Sequence, residues 1–122
     1  MQLGNFSISL AVNDLEKSKS FYQSLGFKII GGEQSQGWLI LMSGDHKIGL
    51  FQGMFEQNIL TYNPGWDKEA NPLNDFDDIR SLHQSLKEKG IEIAQENITK
   101  EGPSNFSVID PDGNPILFDQ HV

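Results

Sequence analysis

The chain has 122 residues, contains no cysteine and carries a formal net charge of -8 at pH 7. Without cysteine it cannot form disulfides, use a thiolate nucleophile or hold a cysteine-ligated metal. The length fits one compact domain with its own core, and the acidic charge disfavours nucleic acid and anionic membranes as partners. Because no apolar run is long enough to span a bilayer and the N-terminus does not resemble a signal peptide, we expect a cytoplasmic protein.

The first half of the chain has the pattern of a strand, a helix and three further strands. Apolar residues alternate with polar ones from Phe6 to Val12, which predicts a strand with one buried face. Asp14 is a suitable N-cap for a helix from Leu15 to Leu25, and Gly26 is placed to end that helix. The remaining strands are predicted at 27–30, 38–42 and 48–51, and a turn at Gly44-Asp45 joins the last two.

The second half repeats this order. Asp14-Leu15 and Leu25-Gly26-Phe27 have counterparts sixty-four residues later in Asp78-Ile79 and Lys89-Gly90-Ile91. A helix is predicted from Asp77 or Asp78 to Lys89, and strands are predicted at 91–93, 106–109 and 116–118. An internal repeat in so short a chain determines the architecture. We expect an α+β fold with two βαβββ modules, at about residues 5–53 and 71–121 of a single domain spanning 1–122.

Residues 54–70 have no counterpart in the predicted repeat, so they are expected to link the two modules. Linkers are usually polar and small, whereas this one carries Phe55, Tyr62 and Trp66. These aromatic residues either cap the end of a sheet or form the wall of a ligand pocket. The sequence leaves both interpretations open.

Two motifs, one near each end of the chain, occur in the order typical of a known superfamily. The first is Leu10-x-Val12-x-Asp14-Leu15-x-x-Ser18-x-x-Phe21-Tyr22-x-x-Leu25-Gly26-Phe27. The second is Asp110-Pro111-Asp112-Gly113-Asn114-Pro115-Ile116-Leu117-Phe118. Together they resemble the vicinal oxygen chelate superfamily, which includes glyoxalase I, extradiol dioxygenases, fosfomycin-resistance enzymes and bleomycin-resistance proteins. The resemblance implies that the modules curl into a half-open β-barrel around a ligand cleft, and that the protein is a homodimer.

The resemblance also identifies four positions at which metal-dependent members of this superfamily hold a divalent ion. The matching residues here are Ser7, Gly49, Asn71 and Leu117. None of the four is His, Glu or Asp, whereas a divalent ion needs several anionic or imidazole ligands at one point. The chain's histidines fall in a hairpin turn, on a helix and near the C-terminus, without metal-ligand spacing on one element. We therefore predict neither a metal nor another cofactor.

Strand alternation predicts which residues face the cleft that the resemblance implies. Alternation turns inward Ser7, Gly49, Phe51, Leu117 and Asp119, and the candidates for the walls are Trp38, Tyr62 and Trp66. These eight are the predicted ligand-binding residues. Asp119 and His121 lie two strand positions apart on one face, and they are the candidate catalytic residues for acid–base chemistry. Aromatic faces beside a carboxylate suit a small organic ligand that is cationic or planar and aromatic.

Two functions from different classes remain open. In the first, the protein resembles the bleomycin-resistance branch and binds a small organic molecule in its cleft without a divalent metal. In the second, it is a glyoxalase-like lyase or isomerase that uses non-standard metal ligands or an acid–base pair of Asp119 and His121. Metal content separates the first from a metal-dependent enzyme, and turnover that is lost in Asp119→Asn favours the second.

Overall fold

The computed structural model describes residues 1–122 and contains eight strands and two α-helices. In chain order the elements are β1 (Asn5–Val12), α1 (Leu15–Ser24), β2 (Lys28–Glu33), β3 (Trp38–Ser43), β4 (His46–Gln52), β5 (Ile59–Asn63), α2 (Ile79–Glu88), β6 (Gln95–Asn97), β7 (Ser104–Ile109) and β8 (Pro115–Gln120). The α+β class and the repeated βαβββ order are therefore confirmed. Both helices are only ten residues long, and neither has the length and apolarity needed to cross a membrane.

The chain divides into two compact units. The N-terminal unit comprises residues 7–59, and the C-terminal unit comprises residues 1–6 together with 60–122. In the N-terminal unit the strand order is β2-β3-β4-β1, with β1 parallel to β4 and the other pairs antiparallel. Its helix α1 covers one face of these strands, and the buried core residues are Leu15, Leu39, Leu41 and Leu50.

The C-terminal unit repeats the arrangement with the strand order β5-β8-β7-β6. Strand β5 is parallel to β8, and the remaining pairs are antiparallel. Helix α2 packs on one face of these strands, and the buried core residues are Ile79, Leu82, Phe106, Val108 and Phe118. In each unit one face of the strands is thus used for packing against a helix, which leaves the opposite face for other contacts.

Both helices begin in the same way. The carboxylate of Asp14 accepts a hydrogen bond from the Lys17 backbone N–H at 3.1 Å, as expected of an N-cap residue. Asp78 caps α2 by accepting from the Arg80 backbone N–H at 2.9 Å. The predicted N-caps are thus confirmed for both modules.

A glutamine at the end of the last strand of each module supplies a second bond to each helix start. The Oε1 atom of Gln52 accepts from the Leu15 backbone N–H at 2.7 Å. The Oε1 atom of Gln120 accepts from the Ile79 backbone N–H at 2.8 Å. Leu15 and Ile79 are the first residues of α1 and α2, so this bond satisfies a donor that no helical carbonyl can reach. The repeat therefore extends to a side-chain contact that the motifs did not reveal.

Two of the predicted boundaries need correction. The segment 54–70, predicted to be a linker, contains strand β5, so the second module begins before the predicted boundary at residue 71. Only Ile59, Leu60 and Tyr62 are apolar in this strand, and the turn residues that follow concealed the alternation. The strand predicted at 91–93 is not formed, and the short strand β6 lies instead at Gln95–Asn97.

Candidate functional site

The candidate site of the N-terminal unit is the face of the sheet opposite α1. Leu39, Leu41 and Leu50 are buried in the core under α1, so their strand neighbours project from the other face. Strand register brings Trp38 opposite Phe51, and Ile40 and Ser9 opposite Gly49. Ser7 lies two residues before Ser9 on the same strand and shares its face. Four of the predicted ligand-binding residues, namely Ser7, Trp38, Gly49 and Phe51, therefore share this face.

Three aromatic side chains form a continuous group on this face. The rings of Trp38 and Phe51 are nearly parallel, with an interplanar angle of 4° and centroids 6.1 Å apart. Phe55, from the segment after β4, places its ring 5.3 Å from that of Phe51. All three side chains are partly exposed. We refer to Trp38, Phe51 and Phe55 as the aromatic surface.

The ring of Phe51 also occupies the space beside Gly49. A Cβ atom built on Gly49 would clash with the Phe51 ring, with its Cζ atom 3.1 Å away, and would lie 3.3 Å from Cδ1 of Ile40. Contacts this short require the neighbouring atoms to move. Gly49 therefore has no room for a side chain while Phe51 keeps this rotamer.

The residues at the superfamily's metal positions do not fit a divalent ion. Gly49 has no side chain and is covered by Phe51, Ser7 offers a neutral hydroxyl, and Leu117 is aliphatic. Asn71 lies outside the strands, so its assignment as the fourth position is wrong. Thr61 pairs with Leu117 as Ser9 pairs with Gly49, so Ile59 is the counterpart of Ser7. Ile59 offers no ligand atom either, and no group of three or more His, Asp or Glu residues is close enough to hold a metal.

The candidate site of the C-terminal unit is the face opposite α2. Phe118 is buried under α2, so Leu117 and Asp119 project from the other face. The Nε2 atom of His121 donates to Oδ2 of Asp119 at 3.0 Å, and the two side chains are 49% and 35% exposed. This hydrogen bond to a carboxylate raises the pKa of His121 above its ordinary value, although partial burial acts in the opposite direction. The predicted pairing of Asp119 with His121 is therefore present in the structure.

Trp66 lies at the edge of this pair. Its ring meets the His121 ring edge-on, with centroids 4.9 Å apart. Its Nε1 donor is buried and has no acceptor in the protein, and the same is true of the Nδ2 donor of Asn63. These two residues begin and end one turn, in which the Trp66 backbone N–H donates to the Asn63 carbonyl at 3.3 Å. His121 thus contacts both Trp66 and Asp119, and the three side chains form one cluster.

Tyr62 lies elsewhere than predicted. It pairs with Phe118 across β5 and β8, so it shares the face that packs against α2. Its ring lies 5.8 Å from that of Phe118 and 5.0 Å from that of Phe6. Tyr62 therefore does not share the face of Leu117 and Asp119, as expected of a wall residue of the cleft, because strand alternation turns its side chain toward the core. Tyr62 does not cap the end of a sheet either, since it lies within β5 and packs against the core under α2.

Two residues of these faces were not predicted from the sequence. Lys47 is only 7% exposed and alternates with Gly49 and Phe51 on β4, so it belongs to the face opposite α1. Asn105 pairs with Asp119 across β7 and β8, so it belongs to the face opposite α2. Both residues lie one position before the strands predicted at 48–51 and 106–109, because the structure begins these strands two residues earlier, at His46 and Ser104. Extending the alternation by one residue at each strand start would have identified them.

An open groove of about 550 Å³ lies along residues 87–96, between the end of α2 and β6. None of the predicted site residues lines it, and its walls come from one continuous segment of the chain. Ligand sites usually collect side chains from several elements. We therefore place the candidate site on the strand faces and not in this groove.

Comparison with known proteins agrees with this fold. The family model described as Glyoxalase/Bleomycin resistance protein/Dioxygenase superfamily matches residues 6–118. The chain therefore belongs to this superfamily, as its two motifs indicated. No curated protein matches the chain.

Several solved structures share the fold at low sequence identity. A glyoxalase/bleomycin resistance protein/dioxygenase superfamily member from Vibrio splendidus 12B01 is 19% identical with a TM-score of 0.66, over 95% of this chain and 97% of that one. A protein from Legionella pneumophila described as an NAD-dependent benzaldehyde dehydrogenase is 16% identical with a TM-score of 0.71, over 96% and 99%. Homoprotocatechuate 2,3-dioxygenase from Arthrobacter globiformis is 22% identical with a TM-score of 0.58, over 100% of this chain but 36% of that one. At these identities the likeness establishes the fold alone.

Proposed function

We propose that this protein binds a small organic molecule and does so without the divalent metal used by the superfamily's metal-dependent enzymes. The observation that supports this most directly is the position of Phe51. Its ring fills the space beside Gly49, where those enzymes place a ligand to the metal. An aromatic ring in that space suits contact with an organic ligand and offers nothing to a cation such as zinc.

The ligand we propose is planar and aromatic, or cationic. The parallel rings of Trp38 and Phe51 provide a surface on which a planar ring or an organic cation can stack. The formal net charge of -8 adds a long-range attraction for cations. Of the predicted ligand-binding residues on this face, Ser7 would complete the contacts, whereas Gly49 lies under the Phe51 ring. Leu117 and Asp119 remain candidate contacts on the face opposite α2, and Tyr62 is no longer included. We also propose that the protein is a homodimer and acts in the cytoplasm.

The metal content of protein purified without an affinity tag or chelator tests this function first. We expect less than about 0.1 equivalent of any divalent metal per chain by elemental mass spectrometry, since no convergent set of ligands is present. A planar cationic probe, N-methylquinolinium, should then quench Trp fluorescence in wild-type protein and much less in Trp38→Leu. A value near one equivalent of metal, or a quenching curve unchanged in Trp38→Leu, would contradict the proposal.

The Asp119–His121 pair favours a second candidate function, that of a lyase or isomerase of the glyoxalase type. The Asp119 carboxylate is hydrogen-bonded to His121 at 3.0 Å and raises the pKa of His121. Pairs of this kind are used for proton transfer in general acid–base catalysis. If the protein turns over a glyoxalase-type substrate, Asp119→Asn should lower the rate constant by about 100-fold, in line with the usual contribution of general acid–base catalysis. Turnover that is retained in Asp119→Asn would exclude this pair as the catalytic group.

A further inference from the structure

A row of polar side chains crosses the face opposite α2. Strand register places Asn97 opposite Asn105, and Asn105 opposite Asp119. Directly opposed residues of antiparallel strands project to the same side, with their Cβ atoms about 5 Å apart. The hydrogen bond from His121 to Asp119 extends the row by one more side chain. We refer to Asn97, Asn105, Asp119 and His121 as the polar row.

A parallel set of residues lies beside this row. Gln95 is opposite Ser107, and Ser107 is opposite Leu117 on the same three strands. Because Phe106, Val108 and Phe118 turn toward α2, the amide and hydroxyl groups of the two sets are collected on the other face. This polar face contrasts with Trp38, Ile40 and Phe51 on the corresponding face of the N-terminal unit.

The polar row is accessible along its length. Asn97 is exposed, Asn105 is partly buried, and Asp119 and His121 are 35% and 49% exposed. At its end, Trp66 contributes an aromatic edge beside His121 and a buried Nε1 donor that has no acceptor in the protein. A ligand that lies along the row would therefore meet hydrogen-bonding groups on three strands and an aromatic side chain at one end.

The hydrogen-bonding capacity of the row identifies the chemistry that suits it. Each side-chain amide both donates and accepts, the carboxylate accepts, and the imidazolium donates. A hydroxyl group also both donates and accepts, so several hydroxyls in series match such a row. A simple cation would find only one carboxylate, and that carboxylate is already bonded to His121. We propose that the polar row binds a polyhydroxylated, sugar-like group of a small organic molecule, and this proposal rests on the proposed small-molecule-binding function.

The experiment compares two probes that share a ring and differ in the polyol, phenyl β-D-glucoside and anisole. Their dissociation constants are measured by NMR titration, with the side-chain NH₂ resonances of Asn97 and Asn105 as reporters. We expect the glucoside to bind at least tenfold more tightly than anisole and to shift both side-chain resonances. In Asn105→Leu, and separately in the more exposed Asn97→Leu, we expect this preference to fall below about threefold. Gln23→Leu, which removes an exposed amide from α1, serves as the matched control and should keep the full preference.

The outcomes separate this proposal from the function on which it rests. If the glucoside leaves both side-chain resonances unshifted, or if both variants retain the tenfold preference, the polar row does not bind polyols. If N-methylquinolinium still quenches Trp38 in that case, the protein binds an organic molecule and only the sugar-like portion is wrong. If neither phenyl β-D-glucoside nor N-methylquinolinium binds, both proposals are overturned. The spectrum of each variant also shows whether it is folded, and the Asn97→Leu variant keeps the test valid if Asn105→Leu does not fold.

Discussion

The aromatic ring of Phe51 lies over Gly49. Gly49 comes two residues earlier on β4 and projects from the same face of the sheet. Related metal enzymes have a metal ligand at this position. Here the Phe51 ring occupies the space that the side chain of such a ligand would need. Gly49 does not have a positive φ, so its backbone conformation would accept a residue with a side chain. Steric overlap with Phe51 and Ile40 is therefore the reason that this position excludes a side chain. The contact is therefore testable by adding a single methyl group.

Gly49→Ala should destabilise the protein by about 1–3 kcal/mol, because a Cβ atom here forces Phe51 or Ile40 to move within a packed face. The matched control is Gly31→Ala on β2, since Gly31 lies opposite Ile40 and a Cβ atom there meets only ordinary contacts at 3.9 Å. The control should change the free energy of unfolding by less than about 0.5 kcal/mol. Urea denaturation measures both values, and equal effects of the two substitutions would show that Phe51 does not close the position.

Gln120→Leu should cost about 2–3 kcal/mol of stability. The Gln120 side chain is almost fully buried, and its loss leaves the Ile79 backbone N–H without an acceptor in the core of the C-terminal unit. The equivalent substitution Gln52→Leu should cost less than about 1 kcal/mol, because Gln52 is exposed and water can replace its bond to Leu15. Thermal or urea unfolding of the two variants gives the comparison, and a larger loss in Gln52→Leu would contradict it.

The Asp119–His121 pair should stabilise the protein more at low pH than at high pH. The pKa of His121 is raised in the folded state above its ordinary value of 6.5, so its contribution is complete below that pH and disappears as the pH rises through the folded pKa. Both side chains are substantially exposed, so we expect less than about 1 kcal/mol. An NMR titration of His121 should show a lower pKa in Asp119→Asn than in the wild type. Superimposable titration curves would mean that Asp119 does not hold the proton on His121.

Trp66→Phe should change the free energy of unfolding by less than about 1 kcal/mol. The substitution removes ring volume, but it also removes an Nε1 donor that is buried without an acceptor, and such a group costs about 1–3 kcal/mol. Trp66→Ala, which also removes the ring beside His121, should cost about 2 kcal/mol or more. A loss of more than 2 kcal/mol in Trp66→Phe itself would indicate that the indole N–H has a bonding partner in solution.

The sequence predicted the helices better than the strands. Asp14 and Asp78 signalled both helix starts, and Gly26 and Gly90 follow both helix ends with positive φ, because capping depends on residues within one turn of each other. Strand β5 was overlooked and β6 was placed four residues too early. A short strand is stable only through its neighbours, and the partners of β5 and β6 lie on β8 and β7, far along the chain.

By itself the sequence determined the repeat, the superfamily and the chemistry of three of the four metal positions, since each of these depends on residue type and spacing along the chain. It also paired Asp119 with His121 through alternation on a single strand. Only the tertiary structure decided that Phe51 covers Gly49, that Tyr62 turns toward the core, and that Asn105 stands beside Asp119. These facts depend on side-chain rotamers and on pairing between distant strands, which residue spacing does not encode.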